Sequence, residues 1–178
     1  MKKVFLAFFG VVLFSAAAMA QTGKNQVSVG PELAIPTGDM SDMSKLGFGA
    51  TVKGLYGIGT AGQITLTTGF VSVGAKNEYK QLLGASKITQ SIIPILAGYR
   101  HNFKSFYVEP QVGYGIYSAK IKGGMFDGKE SDGAFTWAAG VGYVFTNNIE
   151  VGARYQSGHK DGTSTGLFGL RVAYNFSL

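Results

Sequence analysis

The sequence contains no cysteine and little charge. Small exported domains usually need disulfides because their hydrophobic cores are marginal, so an exported chain without cysteine must be stabilised in another way. Charged residues make up 15% of the chain, against about 25% in soluble domains. The formal charge is +6, but the chain has no block of Lys and Arg. This disfavours nucleic acid as a partner and favours anionic lipid headgroups.

Apolar runs of membrane-helix length are also missing after residue 20. Residues 1–20 begin with Lys2 and Lys3, continue through an apolar stretch and end in Ala18-Met19-Ala20, which predicts a cleaved signal peptide. Residues 21–178 then form a single domain. None of its segments approaches the roughly 20 apolar residues of a spanning helix. Because only helices and closed barrels satisfy their backbone in lipid, the exported domain is either soluble or a membrane barrel.

What the chain does contain is glycine, aromatic residues and alternation with a period of two. Between Phe106 and Ile116 every second residue is apolar, and the positions between them carry Tyr, Glu, Gln and Gly. Such a strand faces two different environments and is long enough to cross a membrane, which takes roughly 9–11 residues. Residues 88–100 form the other arm of this hairpin, around a turn near 102–104. There the odd-numbered residues are predicted to face outward, Gly98 to lie opposite Tyr107, and Pro94 to mark a missing hydrogen bond such as a bulge.

The whole domain can be read as eight such strands. They are predicted at residues 26–36, 46–56, 63–73, 88–100, 106–118, 133–145, 149–156 and 165–178. Long polar connections at 37–45, 74–87, 119–132 and 157–164 alternate with short turns at 57–62, 102–104 and 146–148. Outer-membrane barrels have short periplasmic turns and longer external loops. The sequence therefore predicts an all-β protein, an eight-stranded antiparallel up-and-down transmembrane β-barrel in the outer membrane, with the four long loops outside.

The two faces of these strands predict a lumen and a lipid surface. Six charged residues fall on the inward, polar face: Glu32, Lys53, Glu109, Glu150, Arg154 and Arg171. We expect them to form a network, with Glu150 and Arg171 as a direct pair, that closes the lumen in place of apolar packing. Eight strands leave an interior just filled by side chains, which excludes a wide pore.

On the outward face, Val112, Val141 and Leu170 lie near mid-strand and are expected to touch lipid. Aromatic residues near the strand ends are expected to form two girdles at the membrane interfaces. The girdle residues are Tyr56, Tyr99, Phe106, Trp137, Tyr143, Tyr155, Phe168 and Phe176.

These features resemble the small outer-membrane β-barrel domain family, the OmpA/OmpX-like eight-stranded barrels often labelled porin-like. The resemblance rests on the signal peptide, the amphipathic strands and the segments IIPILAGYR, FYVEPQVGYG and RVAYNFSL. It implies a monomer surrounded by outer-membrane lipids and lipopolysaccharide. It also implies insertion by the barrel-assembly machinery, which in many such barrels reads a terminal aromatic residue; here Phe176 is the aromatic residue near the end.

The sequence carries no recognisable catalytic, metal-binding or cofactor-binding motif, so no cofactor is expected. Some eight-stranded barrels deacylate lipid A with a His-x-Ser motif on a late strand, whereas here His159 is followed by Lys160 in a predicted loop. We therefore expect a non-enzymatic outer-membrane barrel with an envelope-structural role or a surface-interaction (adhesion) role through its four external loops, toward an unidentified surface ligand. A narrow gated channel and a lipid-modifying barrel enzyme are the alternatives.

Overall fold

The computed structural model describes residues 25–82, 86–123, 128–160 and 162–178, so the predicted signal peptide lies outside the described residues. The strands are β1 Gln26–Thr37, β2 Ser44–Ile58, β3 Gly62–Ala75, β4 Lys87–Phe103, β5 Phe106–Lys122, β6 Gly128–Val144, β7 Ile149–Lys160 and β8 Thr163–Ser177. Two short helices, α1 Asp39–Met43 and α2 Asn77–Leu82, lie in connections at the same end of the strands. Neither helix of the described chain is long or apolar enough to cross a membrane.

The eight strands form one closed antiparallel barrel. Each strand pairs with the next in sequence, and β8 returns to pair with β1. The predicted fold is therefore confirmed. Closure removes the unpaired strand edges that an open sheet would leave, so the barrel needs no disulfide to hold its first and last strands together.

Alternation along each strand separates a buried inner face from an exposed outer face. On β4 the odd-numbered Ile93, Ile95 and Tyr99 are exposed, as predicted, while Ile92 and Arg100 are buried. The expected fit of Gly98 with Tyr107 is wrong. Gly98 pairs with Gln111, and a side chain at Gly142 or Gly152 is what would collide with the Tyr107 ring. The ring lies against β6 and β7, so the glycines that make room for it are on those strands.

Three of the four prolines lie at gaps in the pairing between neighbouring strands, whereas Pro36 is paired with Leu167. Around Pro94 the β3–β4 pairing skips from Thr68↔Ile95 to Val71↔Ile92 without a change of register. The β4–β5 pairing skips Pro110 and the β1–β8 pairing skips Pro31 in the same way. Proline has no N–H to donate to the neighbouring strand, so the missing hydrogen bond predicted at Pro94 takes the form of a local gap and not of a bulge.

Two of the four predicted loops are mostly strand. The segment 119–132 continues β5 to Lys122 and starts β6 at Gly128, and the segment 157–164 continues β7 to Lys160 and starts β8 at Thr163. These stretches are polar because both of their faces lie beyond the apolar outer surface of the barrel. The strands nevertheless continue there as a paired sheet. The helices α1 and α2 lie in the other two predicted loops, and the short turns at 59–61, 104–105 and 145–148 lie close to the predicted positions.

The lumen also contains an apolar cluster, contrary to the expectation of a lumen closed by charge alone. The buried members are Ala34, Met40, Val71, Val73, Ile92 and Leu167, with Tyr117 packed against them. They come from the strand halves nearest α1 and α2, and Met40 belongs to α1 itself. On β3 the inward face changes from Thr65 and Thr67 to Val71 and Val73 along the strand, so one half of the lumen is polar and the other is apolar.

Candidate functional site

The polar half of the lumen is organised around Arg100. Its guanidinium group binds Glu150 through two hydrogen bonds, Nη1 to Oε2 at 3.0 Å and Nη2 to Oε1 at 3.1 Å. The Nε and Nη2 atoms also donate to Oε2 of Glu109, at 3.2 and 3.0 Å. The exposed fractions of Arg100, Glu109 and Glu150 are 1%, 3% and 0%. One buried arginine therefore links carboxylates from β5 and β7 across the barrel, in the bidentate geometry that gives strong pairs.

Two more cations complete this central cluster. Lys53 Nζ lies 2.6 Å from Oε2 of Glu109. Arg171 Nη1 lies 3.0 Å from Oε1 of Glu150, and Arg171 Nε donates to Thr51 at 2.7 Å. We define the lumen network as Lys53, Arg100, Glu109, Glu150 and Arg171. The expected direct pair of Glu150 and Arg171 is thus in contact, although Glu150 makes more hydrogen bonds to Arg100 than to Arg171.

Uncharged side chains also donate hydrogen bonds to both carboxylates. Tyr107 donates its hydroxyl proton to Oε1 of Glu150 at 2.7 Å, and Gln111 donates to Oε1 of Glu109 at 2.8 Å. The Arg100 guanidinium carbon also lies 3.7 Å from the centroid of the Tyr107 ring, within the range of a cation–π interaction. Buried ions are tolerated when their other polar atoms are hydrogen-bonded, and these contacts meet that condition for both carboxylates.

The other two predicted charges form a separate pair. Arg154 Nη2 lies 2.8 Å from Oε1 of Glu32. Glu32 is the backbone partner of Arg171 across the β1–β8 pairing, yet its carboxylate reaches over Gly169 to Arg154 on β7. A Cβ at position 169 would collide with that carboxylate, so glycine there keeps the path open.

The charges of the lumen network and of the Glu32–Arg154 pair do not balance. Four cations, Lys53, Arg100, Arg154 and Arg171, face the three carboxylates named above. Nη2 of Arg171 is buried with no hydrogen-bond partner, and Arg171 is one of the residues that line a cavity of about 20 Å³. A cavity of this size holds about one water molecule. The sequence predicted three cations for three carboxylates, and the structure corrects this by adding Arg100.

Arg100 is therefore the residue that sequence reasoning missed. Its position on the inward face of β4 follows from the alternation, but it lies next to the short turn at residues 104–105. A charge so close to a strand end is easily taken for a solvated one. Its burial depends on the long side chain turning into the barrel, which the pattern of residues cannot reveal.

The outward face of the barrel is a continuous apolar surface. Val112, Val141 and Leu170 are 56%, 45% and 42% exposed. Soluble monomers rarely expose a contiguous apolar surface of this kind. The proposed girdle residues also point outward. Phe106 and Tyr143 pair near the short turns, and the Trp137 and Tyr155 rings lie 5.6 Å apart toward the other end. Their contact with the membrane interfaces stays a prediction.

His159 lies within β7, which corrects its predicted place in a loop. Ser157 Oγ and Trp137 Nε1 both lie 3.0 Å from its Nε2 atom, and Ser164 Oγ lies 2.9 Å from Nδ1. A catalytic histidine needs a free nitrogen to accept the nucleophile's proton and an acidic group to orient the other nitrogen. Here an indole N–H already donates to Nε2 and a hydroxyl holds Nδ1. The arrangement ties three strands together and gives little support to a hydrolase.

Metal binding finds no support in the described strands and helices. Within them, no group of three or more His, Cys, Asp or Glu side chains lies close enough to hold a metal ion.

The fold is shared with outer-membrane barrels of known structure. The chain is similar to Ail, the attachment invasion locus protein of Yersinia pestis, with a TM-score of 0.65 and 17% identity over 88% of this chain and 100% of that one. It is also similar to the N-terminal β-barrel domain of OprF from Pseudomonas aeruginosa, with a TM-score of 0.61 and 14% identity over 87% of this chain and 100% of that one. For Neisserial surface protein A (NspA) the TM-score is 0.56 and the identity is 16%, over 86% of this chain and 97% of that one. Among curated protein sequences none matches significantly.

A family model links the sequence itself to this fold. The model for the outer membrane protein beta-barrel domain matches residues 6–176, and the eight-stranded closed barrel agrees with it. The protein is therefore located in the outer membrane, and the chain belongs to the outer membrane protein beta-barrel domain family.

Proposed function

We propose that this protein is a non-enzymatic, closed outer-membrane barrel that stabilises the envelope and makes contacts at the cell surface. The observation that carries the proposal is the filling of the lumen. A charge network occupies one half of the barrel and an apolar cluster occupies the other. The cavities bordering Glu32 and Arg154 in the described lumen have volumes of only about 20 and 10 Å³. Such a barrel has no room for a diffusing substrate.

The proposed surface contact uses the end of the barrel that carries α1 and α2. There β4, β5 and β6 continue beyond the apolar belt as a paired sheet, which gives a rigid platform at a lower conformational cost than flexible loops. Ail is by name an attachment invasion locus protein, and one structure shows it in complex with the heparin analogue sucrose octasulfate. NspA is by name a surface protein. These relatives support a surface role for this chain, toward a ligand still to be identified.

The environment of the protein follows from the same proposal. Residues 1–20 direct export as a cleaved signal peptide, and the barrel-assembly machinery inserts the remaining chain into a membrane of phospholipid and lipopolysaccharide. Because the barrel closes on itself, it leaves no strand edge for a second copy, and we expect a monomer.

A narrow gated channel is the second candidate. A cavity of about 710 Å³ opens at the end with the short turns and reaches Arg100. From that side the lumen network is the first barrier, and the apolar cluster is the next. A channel would require both barriers to move.

Planar-bilayer recording tests the proposal directly. We expect purified wild-type protein to give no discrete current steps at voltages of either sign, because neither barrier leaves a water-filled path. The matched variant Glu150→Gln loosens the network while leaving the apolar cluster in place, so it should also stay closed. Steps in the wild type would overturn the closed barrel and place the channel first.

A further inference from the structure

An outward-facing groove on β4, β5 and β6 carries four lysines. We define the lysine groove by Lys87, Lys120, Lys122 and Lys129, with Phe70 and Ile93 on its apolar side. Its volume is about 360 Å³. All four lysines are exposed, and their parity along the strands puts them on the same outer face as Ile93, Ile116 and Phe135.

The lysines face one another in pairs across the sheet. Lys87 is the partner of Lys122 between β4 and β5, and Lys120 is the partner of Lys129 between β5 and β6. Like charges directly opposite each other destabilise a sheet. Two such pairs side by side therefore lower stability, unless an anion lies between them.

The described side chains around the groove supply no such anion. No carboxylate lines it. Glu130 and Asp132 are even-numbered residues of β6, on which Ala134 and Thr136 point into the barrel, so the two carboxylates belong to the inner face. Asp132 is also paired with Lys160 at 2.6 Å. An external anion would find four ammonium groups without competition from these acids.

Along the outer face, apolar, hydroxyl and ammonium side chains follow one another in the order of the acyl chains, sugar hydroxyls and phosphates of a lipid. On β5 the outward residues run from Ile116 to Ser118, Lys120 and Lys122. On β6 they run from Phe135 to Ser131 and Lys129, and the Ser118 and Ser131 hydroxyls lie 2.7 Å apart. A strand rises about 3.4 Å per residue and is tilted by about 45° in a membrane, so Lys120 lies roughly 10 Å above Ile116. With Ile116 in the outer part of the hydrocarbon core, that height places Lys120 in the headgroup region, which adds roughly 5–8 Å on each side of the core.

We propose that the lysine groove binds the phosphate groups of an acylated, phosphorylated saccharide lipid of the outer leaflet, that is, the lipid A part of lipopolysaccharide. Its acyl chains lie against Phe70 and Ile93, its sugar hydroxyls face the serine level, and its phosphates lie among the lysines. The site rests on the proposed orientation of the barrel, in which α1 and α2 lie outside. It explains why two like-charged pairs lie side by side on this face.

Lipid binding to purified protein in detergent micelles tests the lysine groove in a way that does not depend on the orientation of the barrel in the membrane. The probes are lipid A carrying two phosphates and the same lipid with its phosphates removed, each measured by the change in fluorescence of a labelled lipid. Lys120→Gln with Lys129→Gln removes one of the like-charged pairs. We expect the affinity of this variant for the phosphorylated lipid to fall by at least tenfold, to the level at which wild type binds the dephosphorylated lipid.

The matched control removes two charges elsewhere. Lys45 and Lys104 are both exposed and lie outside the groove, so Lys45→Gln with Lys104→Gln should change the affinity by less than twofold. An equal loss in this control, or no loss in the groove variant, would overturn the site. Competition by inorganic phosphate alone at the same affinity would show an anion site and reject the lipid.

Two further measurements keep the result interpretable. Both variants should show the same shift in migration between unboiled and boiled samples as wild type, because exposed lysines contribute nothing to the core. Labelling of external residues on cells tests the orientation separately, so a reversed barrel with intact binding would reject the orientation and leave the lysine groove standing.

Discussion

Replacing Glu150 is expected to be the most destabilising single change in the lumen network. Glu150 accepts hydrogen bonds from Arg100, Arg171 and Tyr107 and is fully buried. In the variant Glu150→Gln, Arg100 keeps the carboxylate of Glu109, but Arg171 has no charged partner, since its acceptors are then the Thr51 hydroxyl and a neutral amide oxygen. Leaving a buried charge without its partner costs about 3–5 kcal/mol, and we expect a loss of stability of that size.

Removing the cation from the same pair should cost much less. In Arg171→Met, Glu150 keeps its bidentate bond to Arg100 and the hydroxyl of Tyr107. The change forfeits two hydrogen bonds of the guanidinium group, to Glu150 and to Thr51, each worth about 1.5–3 kcal/mol, and also removes a buried unpaired donor that itself costs about 1–3 kcal/mol. It leaves two cations for two carboxylates in the network. We expect a net loss of about 2 kcal/mol.

Urea unfolding in detergent micelles measures these values, and the single tryptophan of the chain, Trp137, provides the fluorescence signal. The double variant Glu150→Gln with Arg171→Met closes a thermodynamic cycle. It should be more stable than Glu150→Gln alone, because it no longer contains Arg171 as a buried cation without a charged partner. If Arg171→Met costs as much as Glu150→Gln, or if the cycle gives no coupling, the excess positive charge is not what governs the network.

Three other changes test the two faces and the orientation. Val141→Arg puts a charge on the outer face and should lower stability in a bilayer by about 2–4 kcal/mol; stability equal to wild type would mean that this face does not touch lipid. Gly142→Ala should be destabilising because its Cβ would lie 2.5 Å from Tyr107, whereas Gly140→Ala meets only ordinary contacts of 3.4 Å or more; equal losses would contradict the fit of the ring. A cysteine at Ser131 should react with an impermeant thiol reagent on intact cells and one at Asn147 should not, and the opposite result would reverse the barrel.

Strand number, pairing and the two faces could be predicted from the sequence because a membrane barrel imposes one rule on every strand. The lipid side must be apolar along the whole membrane crossing, so the alternation stays regular. The sequence of each strand therefore shows which residues face lipid and which face the lumen. The odd-numbered face of β4 was predicted correctly for this reason, even though Pro94 interrupts the strand.

The interior could be predicted only in part because the lumen follows no such rule. Its residues are chosen by contacts between strands that are distant in sequence. Ile92 and Val71 were assigned no packing role, yet they form an apolar cluster with Met40. The partner of Glu32 is Arg154, 122 residues away, and no local pattern specifies that contact. Strand ends were misplaced where both faces become polar, since alternation then gives no signal.

The arrangement of ion pairs in the lumen network has a consequence for insertion. Arg100 and Glu109 belong to the same hairpin and are nine residues apart, and Glu150 and Arg171 belong to another and are 21 apart. Each hairpin can therefore bring one ion pair already formed into the membrane, where a lone charge at the midplane costs about 2–4 kcal/mol. The bonds from Arg100 to Glu150 and from Arg154 to Glu32 join different hairpins and form only when the barrel closes. Because interactions made after the transition state mainly slow unfolding, we expect these late bonds to prolong the lifetime of the inserted barrel.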